Sequence, residues 1–98
     1  MFIVLAQFKI KPGTKDEFIR LAGPLVMGSR AEVGCLSYEL FESTERENVL
    51  IIVEKWIDRA VFENHVATAH FEIFGKTAGP LLIEERDVRM YPAYEECQ

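Results

Sequence analysis

The residues most able to do chemistry are concentrated between Asn48 and Phe71. Glu54 ends an apolar run, and His65 and His70 follow within sixteen residues of it. Histidine titrates near neutral pH, and a carboxylate beside an imidazole is a common arrangement for general acid–base catalysis. We therefore interpret His65, His70 and Glu54 as candidate catalytic residues, with His65 the preferred base because its spacing predicts a buried helix face.

Each of these residues also has a structural interpretation. His65 could be a core histidine that is hydrogen-bonded to a carbonyl. His70 falls in the first turn of a predicted helix, where the helix dipole disfavours an imidazolium, so a neutral donor or a capping role competes with catalysis. Glu54 points into apolar surroundings and needs a partner, so it could orient His65 or pair with an arginine.

The spacing of the two histidines argues against a metal site. Five residues apart, they lie about 140° apart around a continuous helix, so they would converge on one ion only if the helix breaks at Thr68. The sequence also lacks a glycine-rich phosphate loop and a nucleotide-binding fingerprint. We expect neither a metal nor a cofactor.

Four segments have the composition and alternation of β-strands. The first and third are apolar on both faces for much of their length, and the polar loop 44–48 predicts that the second and third pair as an antiparallel hairpin. In the second strand, alternation places Leu36, Tyr38 and Leu40 on one face. The predicted strands are Phe2–Ile10, Cys35–Ser43, Val49–Trp56 and Glu84–Tyr91.

Three helical segments separate these strands. Thr14 and Glu17 have the spacing of a capping box, which predicts a helix that is kinked at Gly23-Pro24 and ends before Gly34. Asp58 and Thr68 are the predicted N-caps of two shorter helices, the second stopped by Gly79-Pro80.

The element order predicts a ferredoxin-like βαββαβ fold of the α+β class. We expect one domain over residues 1–98, with its core at about 2–91, an acidic tail at 92–98, and a four-stranded antiparallel sheet covered by helices on one face. Because the first and third strands are apolar on both faces, the open sheet face predicts a homodimer.

Composition excludes several classes of partner. The net charge is −5 without a run of Lys or Arg, which argues against binding to nucleic acid or to an anionic membrane. The N-terminal apolar run precedes its basic residues and so is interpreted as a strand and not a signal peptide. Cys35 and Cys97 are far apart and form no redox motif, as expected in a reduced, cytoplasmic setting.

The chain resembles the antibiotic-biosynthesis monooxygenase family of dimeric α+β barrels. The matching residues are Gly34-Cys35 with Tyr38-Glu39-Leu40, then Glu54 and Trp56, then His65 and His70-Phe71. The resemblance implies a cofactor-independent monooxygenase that oxidises a small quinol or polyphenol-type aromatic, or another small enolisable molecule.

The resemblance also supplies two alternatives, because the same signature occurs in enzymes that act on phosphorylated sugars and in proteins without known activity. One is an isomerase-type enzyme for a small phosphorylated carbonyl compound, which would need cations at the pocket. Here Lys9, Lys11, Arg30 and Arg59 are scattered along the chain. The other is a non-catalytic dimer that binds a small molecule.

Relatives that cleave haem are similar in fold, and they carry an Asn in strand one, a Trp where His65 stands and a haem-ligating His where Gly75 stands. This chain has Gln7, His65 and Gly75 at those positions, so we expect no haem chemistry. The expected substrate-binding residues are Tyr38, Trp56, Phe62, Phe71, Phe74 and Gln7.

Overall fold

A computed structural model describes residues 1–97 of the chain. Its four strands form one antiparallel sheet in the order β2-β3-β1-β4, and the helices pack on one face, which confirms the predicted ferredoxin-like arrangement. The elements are β1 (Phe2–Lys9), α1 (Lys15–Arg30), β2 (Cys35–Glu42), β3 (Val49–Trp56), α2 (Arg59–His65), α3 (Ala69–Ala78) and β4 (Asp87–Pro92), with a 3₁₀ turn at Gly79–Leu81. Gln98, the last residue of the predicted acidic tail, lies outside the described residues.

The two central strands place alternate side chains under the helices. On β1 the buried residues are Phe2, Val4, Ala6 and Phe8, and on β3 they include Ile52, Glu54 and Trp56. The register pairs Glu54 with Val4 on one side and with Tyr38 on the other. The sheet therefore sets the Glu54 carboxylate in the middle of an apolar, helix-covered face.

A β-bulge in β2 corrects the predicted alternation of that strand. Cys35 pairs with Trp56 and Ser37 with Lys55, so Leu36 is an extra residue without a partner. Its side chain is 55% exposed instead of sharing the buried face of Tyr38. An inserted residue reverses the in-and-out pattern on its N-terminal side, which simple alternation does not predict.

The first helix begins without the predicted capping box. The Thr14 hydroxyl donates a hydrogen bond to the Lys11 carbonyl, and Glu17 pairs with Arg20, so neither side chain caps the helix. The helix runs without a break through Pro24 and ends at Arg30. Gly34, four residues later, adopts the left-handed conformation (φ 88°) and leads into β2.

Both predicted caps of the shorter helices are confirmed. The Asp58 carboxylate accepts from the Val61 amide at 2.9 Å, and the Thr68 hydroxyl accepts from the Phe71 amide at 3.4 Å. The turn between α2 and α3 changes the chain direction at Thr68. That break brings His65 and His70 to the same side of the sheet.

Within residues 1–97, no helix is long and apolar enough to cross a bilayer.

Candidate active site

A cavity of about 330 Å³ lies between the covered face of the sheet and the helices. Its wall is mostly apolar and includes Phe62, Phe71 and Phe74, three of the predicted substrate-binding residues. Three polar side chains also line it: Tyr38, Glu54 and Arg86. An apolar cavity of this size with a few polar groups is typical of a small-molecule site.

Glu54 is the acidic group of this cavity, and its side chain is almost fully buried. The Trp56 indole N–H donates to its Oε1 at 3.1 Å, so Trp56, which does not line the cavity, positions the carboxyl. Burial raises the pKa of Glu54 to about 7, against the opposing effect of the Trp56 hydrogen bond. A carboxyl with this pKa can take up and release a proton near neutral pH.

His65 lies behind Glu54 and is fully buried. Its Nδ1 is 2.6 Å from Oε2 of Glu32, and its Nε2 is 3.9 Å from Oε1 of Glu54. Burial lowers the pKa of His65, although Glu32 acts in the opposite direction, so the neutral ring is favoured. In the arrangement that satisfies these contacts, Nδ1–H donates to Glu32, and the Nε2 lone pair faces Glu54, without a hydrogen-bond partner among residues 1–97.

His70 shares the same carboxylate oxygen. Its Nε2 is 2.8 Å from Oε2 of Glu32, and its ring packs so tightly on α1 that a Cβ at Gly28 would lie 2.7 Å from it. Glu32 therefore joins the two histidines, a role that sequence reasoning missed. It lies in the turn after α1, where no periodic pattern marks it.

The donor atoms of Glu32, His65 and His70 lie within 4.8 Å of one another. The break at Thr68 thus supplies the convergence that a continuous helix would prevent. The two N···O separations, 2.6 and 2.8 Å, are hydrogen-bond lengths, shorter than the roughly 3.3 Å expected between neighbouring ligands of one tetrahedral ion. The expected absence of a metal stays a prediction.

Aromatic rings enclose the His65 imidazole. The ring centroids of Trp56, Phe71 and Tyr38 are 4.7, 5.2 and 5.4 Å from that of His65. Burial and the nearby Glu54 raise the pKa of the Tyr38 phenol, so it remains a neutral hydrogen-bond donor at the cavity wall. The enclosure leaves His65 little access to water except through its polar neighbours.

Arg86 is the cation of the cavity, and sequence reasoning did not single it out. Its guanidinium lies 5.6 Å from the ring centroid of Phe8 and 5.8 Å from that of Phe71. Across residues 1–97 it has no ion-pair partner within 4.0 Å. The predicted fourth strand, Glu84–Tyr91, included Arg86, but β4 begins at Asp87, so Arg86 lies in an irregular segment before it.

The cations considered from the sequence do not line the cavity. Lys9 pairs with Glu84 and Arg59 with Glu63, and Arg30 donates to the Tyr38 carbonyl.

Two of the predicted substrate-binding residues, Trp56 and Gln7, do not line the cavity. Trp56 contacts Glu54 from behind, whereas the sheet directs Gln7 away from the cavity. Gln7 lies between Ala6 and Phe8 in sequence, so its side chain emerges on the opposite face of β1. There its Oε1 accepts from Arg46 at 3.0 Å.

A family model described as antibiotic biosynthesis monooxygenase matches residues 1–76. The "Putative monooxygenase YcnE" of Bacillus subtilis is 41% identical over 88 residues, which are 90% of this chain and 93% of that protein. The chain belongs to the antibiotic biosynthesis monooxygenase family.

Solved structures agree with this family membership. Rv0793 from Mycobacterium tuberculosis superposes with a TM-score of 0.90 at 26% identity, covering 99% of this chain and 98% of that one. PA3566 from Pseudomonas aeruginosa superposes with a TM-score of 0.81 at 30% identity, covering 98% and 94% respectively.

Proposed function

We propose that this chain is a cofactor-independent monooxygenase acting on a small quinol or polyphenol-type aromatic bound in the cavity. The observation that carries the proposal is a buried carboxyl, Glu54, that titrates near neutral pH at the wall of an apolar cavity of about 330 Å³. Membership of a monooxygenase family supports the reaction type. The aromatic wall suits a flat, apolar substrate.

The Glu54 carboxylate accepts a proton from a hydroxyl of the substrate, which becomes an electron-rich anion. Oxygen then adds to a ring carbon of that anion, and a proton delivered back through Glu54 gives a hydroperoxide. Loss of water leaves a carbonyl where the keto form of the substrate had a CH₂ group. The substrate supplies all four electrons, so one oxygen atom enters the product and the other leaves as water.

Two neighbours of Glu54 support this step. The Nε2 lone pair of His65 faces the carboxyl and favours its protonated form. The unpaired charge of Arg86 is available at the cavity wall to stabilise a substrate anion.

The test is oxygen uptake with a panel of quinols, followed by mass analysis after turnover with isotopically labelled oxygen. We expect Glu54→Gln to lower turnover by about 10²- to 10⁴-fold, the usual contribution of a general base. Glu63→Gln, which changes an exposed carboxylate on α2, is the matched control and should leave turnover unchanged. Equal rates for both variants, or no label in the product, would refute the proposal.

An isomerase-type enzyme for a small phosphorylated carbonyl compound is the second candidate, and Arg86 favours it. An arginine without an ionic partner at the cavity can bind a phosphate. Inorganic phosphate should then raise the melting temperature, and Arg86→Gln should abolish the increase. The control is Arg89→Gln, which changes an exposed arginine paired with Asp87. Phosphate-independent melting, combined with quinol-dependent oxygen uptake, would leave the first candidate. Ligand binding without turnover of either substrate class would indicate a binding module.

We further propose that the chain forms a homodimer through the open face of the sheet. That face carries Ile3, Leu5, Ile51 and Val53, which the single chain leaves half-buried, and Phe41, which is 47% exposed. Exposed apolar surface of this extent is commonly covered by a partner.

A further inference from the structure

Two glutamates and two histidines form a continuous series from the cavity to the surface. In order, they are Glu54, His65, Glu32 and His70. The separations between successive groups are 3.9, 2.6 and 2.8 Å. The first is longer than a hydrogen bond and requires a small movement of the Glu54 side chain; the others are already hydrogen-bond lengths.

We propose that this series is a proton relay that carries the substrate proton from Glu54 to solvent, with Glu32 and His70 as positioning and relay residues outside the cavity. The relay rests on the proposed deprotonation at Glu54 for its use. Its proton path can nevertheless be tested without turnover.

The cavity end of the series needs such an exit. The Glu54 side chain is only 5% exposed and that of His65 is not exposed at all. The rings of Trp56, Phe71 and Tyr38 surround the imidazole. A proton accepted by Glu54 therefore has little contact with bulk water, and Nε2 of His65, 3.9 Å from Oε1 of Glu54, is a base within reach of it.

The outer end of the series is accessible to water. The Glu32 side chain is 14% exposed and that of His70 is 23% exposed. Gly28 is part of this outer end, because a Cβ there would lie 2.7 Å from Cγ and Nδ1 of His70 and would displace the ring. The absence of a side chain at Gly28 thus permits the His70–Glu32 contact.

Each transfer exchanges one O–H or N–H bond for another. The substrate O–H breaks as the Glu54 O–H forms, and Glu54 then protonates His65 at Nε2. The Nδ1 proton of His65 passes to Glu32, Glu32 passes a proton to Nε2 of His70, and His70 releases its Nδ1 proton to water or buffer. One proton enters at the cavity and one leaves at the surface when the substrate anion forms. The reverse transfers return a proton from solvent for the hydroperoxide and restore the starting tautomers, so no oxidant or reductant is required.

The first test is nuclear magnetic resonance of protein labelled with nitrogen-15 in its histidines. We expect His65 to carry its proton on Nδ1 and to leave Nε2 unprotonated. We also expect that proton to exchange with water by way of His70, so His70→Phe, which keeps a ring against Gly28, should slow the exchange about tenfold or more. If His70 only supported the structure, the same substitution should make the His65 proton exchange faster, because a loosened site admits water.

In the second variant, His70→Ala, the His65 proton should also exchange slowly, and added imidazole should restore the rate of the original protein. Glu72→Gln, an exposed change on the same helix, is the control and should match the original protein. A proton on Nε2 of His65, unchanged or faster exchange in His70→Phe, or a stoichiometric metal ion bound by the two histidines would each overturn the relay.

If a quinol is turned over, His70→Ala should be slow at low buffer concentration and recover with imidazole, while the original protein is insensitive to buffer. If no quinol is turned over, the proposed function fails, but the exchange measurements still decide whether the relay exists.

Discussion

Ile52 and Val53 are neighbours on β3, yet their side chains lie on opposite faces of the sheet and meet different surroundings. Ile52 is buried under the helices and lines the cavity. Val53 is half-buried on the open face, beside Leu5 and Glu39. The comparison shows how a two-residue repeat divides one strand between two tasks: the covered side surrounds a candidate active site, and the open side offers an apolar surface for assembly.

Val53→Lys should produce the largest effect, because it should abolish the dimer while leaving the single chain folded. Covering several hundred Å² of apolar surface contributes on the order of 10 kcal/mol before the costs of association, and a buried lysine would oppose this. In the single chain the lysine can pair with Glu39 across the strands. We expect light scattering to report a dimer for the original protein and a monomer with unchanged circular dichroism for the variant. A monomeric original protein contradicts the prediction.

The matched change on the other face is Ile52→Ala, which should leave the dimer intact. It removes buried methyl groups from the core, so the free energy of unfolding should fall by about 2–4 kcal/mol in a denaturant titration. If this variant instead dissociates the dimer without destabilising the fold, the assignment of the two faces is reversed.

Glu54→Gln should change how the free energy of unfolding depends on pH, because it replaces the acidic group buried on the covered face. In the folded state the pKa of Glu54 is raised from 4.5 to about 7. Between these two values the unfolded state has already lost the proton that the folded state keeps, so the original protein loses stability as the pH rises. The variant should be about 3 kcal/mol more stable at pH 8, with the difference vanishing near pH 4. Denaturant titrations at both values test this; a difference independent of pH would contradict it.

His65→Gln should reduce turnover by roughly 10²-fold, equivalent to about 2.7 kcal/mol of transition-state stabilisation. The melting temperature should change little because glutamine can retain a hydrogen bond. A lower melting temperature with nearly intact turnover per folded molecule would instead identify His65 as a structural core residue. Full turnover and an unchanged melting temperature would leave His65 without either role.

The smallest predicted effects compare two helix starts that look alike in the sequence. Asp58→Ala removes an observed cap and should lower the free energy of unfolding by about 1 kcal/mol. Thr14→Ala should cost less than about 0.5 kcal/mol, because its hydroxyl only donates to an exposed turn carbonyl. Thermal unfolding measures both losses of stability, and equal losses in the two variants would indicate that Thr14 caps its helix in solution.

The sequence predicted the fold where periodic patterns describe the burial. Strand alternation placed Glu54 inside, and helical spacing placed His65 beside Phe62, because one face of each element must be apolar. The capping box failed for a local reason, since Thr14 and Glu17 each have a nearer partner. Short motifs of polar residues permit several hydrogen-bond arrangements, and the sequence alone does not select one.

The site was less predictable because its connecting residues lie outside the periodic elements. Glu32 meets His65 and His70 across 33 and 38 positions of sequence, and Arg86 reaches the cavity from the segment before β4. Such contacts depend on how the helices pack on the sheet. A glycine at position 28 opposite the His70 ring was the one sequence feature that could have marked the approach, and its meaning is clear only from the packing.

The bulge at Leu36 also affects how this protein can meet other chains. β2 is an edge strand, and an edge strand with a regular row of free amides and carbonyls can recruit further strands into an aggregate. The extra residue interrupts that row near the beginning of the strand and bends it, so an incoming strand cannot keep one register along its whole length. The bulge that leaves Leu36 exposed therefore disfavours the pairing of further strands with β2 and so disfavours edge-to-edge polymerisation.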